Sequence, residues 1–333
     1  MFVNFNDIFF MSLMFLIGGL FLSKSIAKKG PLSFIIDRLY RLFIPFIFLG
    51  TLLMLIAYYP SYYVAHTSTD IVAYIKDFFT IEKWPVGPPW FIWVLFLFNV
   101  LLLFINPVIR KLKPGIVIQL ANFKNKPALL FSFLLLITWL LYVPIAYNIG
   151  AGTWTGIGPF DFQLSRILLY FGYFILGVII GNTDFNNGIF SQNSVIVKKW
   201  PLWGLLTVTV FIALTIGAKQ LEQMVKSNQL KEFNAWMIYY TLYVSSCTFS
   251  CLTFITIFRK LAIAPKSWWT SLADNAYLIY LIHYIFVIWT QFLLMNYNIP
   301  AFLKFVITFA SSLALSWTVS NLLRKNRLIS KYL

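Results

Sequence analysis

Apolar residues fall into nine long runs along this chain, near positions 5–23, 41–59, 88–107, 127–147, 165–181, 200–218, 235–258, 272–292 and 300–320. About 20 mostly apolar residues in a helix cross a bilayer core. Each run therefore predicts one transmembrane helix, and the fold class is an all-α polytopic bundle. Prolines punctuate the pattern: Pro88 and Pro89 precede the third run, Pro127 the fourth, Pro201 lies near the start of the sixth and Pro300 opens the ninth. Proline suits the first turn of a helix and disfavours its interior. No connection is long enough, or patterned enough, to fold by itself, so residues 1–333 read as a single integral-membrane domain.

Composition agrees with the pattern. The chain is 60% hydrophobic and 20% aromatic, and only 11% of its residues are charged, against about 25% in a soluble domain. The 26 Lys and Arg outnumber the 10 Asp and Glu. In a multispanning protein such an excess reflects topology and anionic lipid, and nucleic acid is not expected as a partner. One set of alternate connections holds Lys24, Lys28, Lys29, Arg38 and Arg41, then Arg110, Lys111, Lys113, Lys124 and Lys126, then Lys198 and Lys199, then Arg259, Lys260 and Lys266. The tail adds Arg324, Lys325, Arg327 and Lys331. The opposite side holds Lys76, Lys83, Arg166, Lys219, Lys226, Lys231 and Lys304. The first set is richer, which predicts a cytoplasmic C-terminus and an outward N-terminus. An outward start without a signal peptide, with Asn4, Asn6 and Asp7 at the start of the first run, raises the expectation of a further span upstream.

Cys247 and Cys251 lie four residues apart in one apolar run, on one side of a helix, and are read as packing residues. His66 and His283 are the chain's 2 histidines, so a multi-histidine metal site is excluded and no metal is expected. There is no glycine-rich phosphate loop and no internal repeat.

Four stretches in order carry a resemblance. Phe9 to Phe21, with Ser12 and Gly18-Gly19, resembles a "hydrophobic run, then Ser-Gly-Phe-Leu" span. Arg38, Arg41, Leu42 and Pro45 form an Arg-x-x-Arg-Leu-x-x-Pro signature. Gly87-Pro88-Pro89-Trp90-Phe91-Ile92-Trp93 resembles a "Leu-Trp-Phe-Leu" opening. Ser271 to His283 resembles "Ser-Tyr-x-x-Tyr-Leu-x-His". Together they resemble the acyltransferase 3 family of integral-membrane O-acyltransferases over essentially the whole chain. That resemblance implies acyl-coenzyme A, typically acetyl-CoA, as a cytoplasmic donor cosubstrate. It also implies a carbohydrate or other cell-envelope acceptor, and residence in the plasma (inner) membrane. It implies as well a first span bearing a histidine that acts as base or acyl-transfer centre. Met1 aligns just before the family's second span, so the expectation is an N-terminally truncated member or a misassigned start.

Arg38 and Arg41 sit where a basic connection meets the second run. If that helix begins just before them they share a face, and an anion could bridge the helix start and two guanidiniums; they are the expected cofactor-binding residues. The alternative is a pair of anchors reaching to the membrane interface. His283 lies roughly 16 Å into the eighth run at 1.5 Å per residue, where an ionisable group is a functional candidate. It is the weak catalytic candidate, against a neutral imidazole bonded to Tyr280 or Tyr284. Arg166, with Asp161 and Trp154 nearby in sequence, could bind an acceptor sugar or simply pair with Asp161. Trp90 is a weak substrate-binding candidate and otherwise an interfacial anchor. His66 falls in a polar turn, and Asp274 and Asn275 read as caps of the eighth helix. Two other functions compete: a transporter or exporter built around His283, and a non-catalytic member of the family.

Overall fold

The computed structural model describes residues 2–123, 126–181, 188–261 and 266–332; Lys124, counted above among the basic residues, lies outside them. Nine of the described helices are long and apolar enough to cross a membrane. They are α1 (Phe2–Leu20), α2 (Pro31–His66), α3 (Trp90–Phe123), α4 (Pro127–Ile149), α5 (Ile167–Gly181), α6 (Trp200–Lys226), α7 (Glu232–Leu261), α8 (Ser267–Leu293) and α9 (Ala301–Leu323). The expected punctuation holds: Pro127 and Pro201 occupy the first turns of α4 and α6, α3 opens after Pro89, and Pro300 caps α9. Two boundaries move. α2 begins at Pro31, about two turns before Arg38, and α3 continues through Arg110 to Phe123. No proline or glycine follows Pro31 before Arg38, so the polar residues there ride on regular backbone, whereas α3 stays helical through Pro107, Pro114 and Gly115.

The chain divides into two compact units. The first comprises Met1–Phe34, Phe98–Trp154 and Gln163–Ala264. Its core gathers Phe9, Leu13, Leu16, Tyr142, Tyr173, Val244, Cys247 and Cys251, all buried. α1 and α5 lie backbone against backbone. A Cβ on Gly177 would stand 2.0 Å from the Leu16 carbonyl oxygen, and one on Gly181 would stand 1.8 Å from that of Leu20. Because the contacts advance in step, the two helices run parallel. Lipid tails are as apolar as leucine, so helices in a bilayer associate through close approach at small residues and through polar contacts. The polar contacts are here too: Tyr173 Oη lies 3.1 Å from Thr248 Oγ1, Thr207 and Thr253 meet at 2.9 Å, and Trp139 Nε1 donates to Thr241 Oγ1 at 3.0 Å.

The second unit comprises Ile35–Leu97, Thr155–Phe162 and Pro265–Leu333. α8 runs parallel to α2. The Tyr277 hydroxyl donates to the Arg41 carbonyl, Trp289 Nε1 donates to the Ile56 carbonyl at 2.9 Å, and the Phe292 and Tyr63 rings meet edge to face. α9 returns antiparallel along α8 with a stripe of buried small polar residues, Thr308, Ser312, Ser316 and Ser320. Asp274 and Asn275 do not cap α8, which begins two turns earlier at Ser267. Asn275 is buried instead, and its amide donates to Ser271 O at 2.7 Å and Asn321 Oδ1 at 2.9 Å on α9. His66 is the last residue of α2 and not part of a polar turn, its ring 4.5 Å from that of Tyr62; beyond it Asp70 caps the short helix Ile71–Thr80 by accepting from Val72 N and Ala73 N.

The close approach in the first unit has a direct test. Gly177→Val drives a branched side chain into the Leu16 backbone and is expected to cost about 1–3 kcal/mol. It should lower the unfolding midpoint of the detergent-solubilised protein; an unchanged midpoint would show that α1 and α5 are not in backbone contact.

Candidate functional site

Arg38, Arg41, Trp90 and His283, four of the five candidate site residues, lie in the second unit, and a proline inside α2 shapes the backbone near the two arginines. Pro45 has no N–H, so it cannot bond the carbonyl four residues back, that of Arg41. Around it the helix widens into two π-type turns, Leu39–Phe43 and Phe46–Gly50, with the Ile44 N–H reaching back to the Leu39 carbonyl. Such turns recur at functional sites. The Arg41 carbonyl receives the Tyr277 hydroxyl at 2.8 Å. Side-chain donation from a neighbouring helix is the usual remedy for a proline within a membrane span.

Asp37 stands between the two arginines. Its Oδ1 is 3.1 Å from Arg41 Nε, and its Oδ2 is 3.9 Å from Arg38 Nε. The Arg38 side chain is 22% exposed and that of Arg41 47%, with Asp37 at 19%. The cluster is therefore a half-open patch of two guanidiniums and one carboxylate, with one positive charge in excess. Since α2 starts at Pro31, the arginines do not stand at a helix start, and its free N–H groups are not part of the site. Any anion held there is held by guanidinium donors, whose fork geometry matches phosphate.

His283 belongs to the same unit, six residues beyond Tyr277 and so about 9 Å further along α8. Its Nδ1 lies 2.7 Å from the Tyr280 carbonyl oxygen. A carbonyl only accepts, so Nδ1 carries the proton and Nε2 of the neutral ring keeps its lone pair. The bond is within the helix, not between helices. Tyr280 in turn donates its hydroxyl to the Pro88 carbonyl, in a turn where Gly87 adopts φ 55° and packs on Met54. Among the described residues no hydrogen bond or ion pair joins His283 to Arg38 or Arg41.

Trp90 opens α3 from this turn and is buried, 7% exposed, so its ring packs inside the unit and does not face the bilayer as an anchor would. Trp93 holds the 155–162 segment by donating to the Asp161 carbonyl at 3.1 Å, with Phe160 and Phe162 edge-on to its ring.

Arg166 belongs to the first unit. Nη1 and Nη2 each lie 2.9 Å from Asp7, one at its carbonyl oxygen and one at Oδ2, and the guanidinium covers the Tyr243 ring at 5.1 Å. The local pair with Asp161 expected from sequence is replaced by this tie between α1 and the start of α5. Sequence reading missed it because Asp7 is 159 residues away. Asp37, by contrast, was visible as the i, i+4 partner of Arg41 and was passed over.

The profile of the family described as an acyltransferase domain matches residues 1–321, nearly the entire chain and both units. The chain belongs to the acyltransferase 3 family. It is a membrane acyltransferase in kind, one that needs an acyl donor and an acceptor. No curated protein and no solved structure matches it. Among the described residues of this acyltransferase no group of three or more His, Cys, Asp and Glu could hold a metal ion, and Cys247 and Cys251 are free thiols in the core.

The Arg166 tie is testable as structure. Arg166→Met removes charge-assisted bonds worth about 1.5–3 kcal/mol, and a fall in the unfolding midpoint is expected. Asp7→Asn, which keeps both oxygen acceptors, should fall less; equal midpoints for wild type and Arg166→Met would refute the tie.

Proposed function

We propose that this acyltransferase transfers an acyl group, acetyl in the first instance, from cytoplasmic acyl-coenzyme A to a hydroxyl of a carbohydrate or another cell-envelope acceptor. On this reading it resides in the plasma (inner) membrane with its C-terminus in the cytoplasm. The observation that carries the proposal is the Arg38–Asp37–Arg41 patch on a proline-widened helix. Two guanidiniums against one carboxylate leave one positive charge in excess, which suits a polyanionic, phosphate-bearing donor. Asp37 keeps the arginines oriented and limits their mutual repulsion while the site is empty.

His283 supplies the proton acceptor. Nε2 takes the proton from the acceptor hydroxyl as its oxygen forms a bond to the thioester carbonyl carbon. The tetrahedral oxyanion collapses, the C–S bond breaks, and the departing thiolate takes the proton back from the imidazolium. The Nδ1–H bond to the Tyr280 carbonyl fixes the tautomer this requires. Arg166 and Trp90 are tied into their own units and are given no part in substrate binding.

Arg38→Ala and Arg41→Ala, expressed from the intact gene, should each abolish acylation while the protein still accumulates in the membrane, and purified protein should lose affinity for coenzyme A at low salt. Undiminished product would refute the donor role. His283→Gln is expected to lower kcat by about 100-fold while leaving the KM for donor unchanged; an equal rate in the variant would remove His283 from the reaction.

A further inference from the structure

The connection between α2 and α3 does not stay at the membrane surface. α2 and α8 end together, with the Tyr63 and Phe292 rings 6.0 Å apart. The polar link through Asn296, Tyr297 and Asn298 to α9, where Lys304 Nζ donates to the Met295 carbonyl, marks that face of the bilayer. From His66 the chain turns back. The helix Ile71–Thr80 descends beside α2, its Tyr74 hydroxyl donating to the Leu55 carbonyl at 2.5 Å, and exposes Ile71, Val72, Ile75 and Phe79 as a lipid-facing surface would. The segment after it goes deeper. Trp84 Nε1 donates to Thr51 Oγ1 at 3.1 Å, and a Cβ on Gly50 would stand 3.7 Å from that of Pro89, just before α3 opens at Trp90. Thr51 lies twelve residues before Tyr63, roughly 18 Å at 1.5 Å per residue, whereas half of a bilayer core is about 15 Å. Lys83 and Trp84 hold φ of 55° and 59° at this depth, a left-handed backbone that bulky residues keep only where their surroundings impose it.

A second irregular segment reaches the same level. A Cβ on Gly158 would stand 3.6 Å from the Trp84 ring, and Trp93, one turn into α3, holds the Asp161 carbonyl. Irregular backbone persists at membrane depth only where protein buries it or water reaches it. Val86 and Pro89 are buried, but Glu82 and Lys83 are exposed. Charged side chains so far from the surface face water, since hydrocarbon does not hold them and the depth exceeds the reach of a lysine stem. We infer that residues 67–89 form a re-entrant strap which, with residues 155–162, walls a water-filled vestibule open on the face opposite the C-terminal tail. Its floor is the turn at Gly87 and Pro88, where the Pro88 carbonyl receives the Tyr280 hydroxyl one helical turn from His283. One further step rests on the enzymatic reading above: the vestibule is the path by which a hydrated, hydroxyl-bearing acceptor approaches His283, from water and not from the lipid phase.

The test is cysteine accessibility in the full-length protein, in sealed membranes of both orientations, to a charged, membrane-impermeant thiosulfonate. Cys247 and Cys251 are buried, so wild type sets the background. The reacting thiolate forms in water, so Glu82→Cys and Lys83→Cys are expected to react from the face opposite the tail about tenfold faster than Phe48→Cys and Leu52→Cys, exposed positions at the same depth on α2. Equal rates overturn the vestibule whichever way they fall: all slow places the strap in lipid, and all fast places this part of the unit outside the bilayer. Reaction from the tail's face alone overturns it too. For the acceptor, Lys83→Cys capped with a polyethylene glycol maleimide should keep its affinity for coenzyme A while transfer to envelope material falls; undiminished transfer after full capping takes the acceptor out of the vestibule. If wild type transfers nothing, the enzymatic reading fails and the accessibility result stands by itself.

Discussion

A carbonyl that loses its helical partner to proline needs another donor, and the hydrogen bond from the Tyr277 hydroxyl to the Arg41 carbonyl is where this chain meets that demand. Pro45 withdraws the donor that a regular helix would have supplied. Of the three charged residues, Arg41 stands in the first widened turn, Leu39–Phe43, and Asp37 and Arg38 end the regular helix just before it. Tyr277 therefore does two things with one bond: it satisfies the backbone of α2 and it fixes α8 against it. Through α8 the same contact sets where Tyr280 and His283 stand. The placement of the candidate residues in the second unit is in this sense built on a missing N–H.

The first unit meets the same solvent constraint by different means. Its helices lack a hydrophobic drive toward one another, and they close through glycine contacts at Leu16 and Leu20 and through hydroxyl pairs such as Thr207 with Thr253. Arg166 is admitted among apolar neighbours because Asp7 and the face of Tyr243 receive its charge. A cation so enclosed acts as a clasp, whereas the half-exposed pair at Arg38 and Arg41 keeps the openness that a ligand site needs. Burial separates the enclosed Arg166 from the more open Arg38 and Arg41, a difference the sequence does not show.

All nine spans were legible, because hydropathy over some twenty residues is a property of the run itself. So were the proline starts at α3, α4, α6 and α9. The start of α2 was not: the polar residues before position 41 looked like a connection, while the backbone through Ser33 and Asp37 had no reason to leave the helix. The same error made Asn275 a cap when it is a buried bridge to Asn321. For the candidate site, spacing marked Arg38 and Arg41 as a pair, and their order with Trp90 and His283 marked the family. What spacing could not give were the partners that come from elsewhere in the chain. Tyr277 on Arg41, Pro88 on Tyr280 and Asp7 on Arg166 are set by tertiary packing.

The parallel alignment of α1 and α5 bears on how the chain is assembled. Two neighbours that run the same way cannot form as a hairpin; an odd number of spans must be threaded between them. The face of α1 that bears the Leu16 and Leu20 carbonyls thus enters the bilayer well before its glycine counterpart has been synthesised, and α2, α3 and α4 must all be inserted first. Until then Leu16 and Leu20 abut lipid or the insertion machinery. The contact of α1 with α5 accordingly waits for Gly177 and Gly181, and the core of the first unit waits further, for Val244, Cys247 and Cys251 of α7.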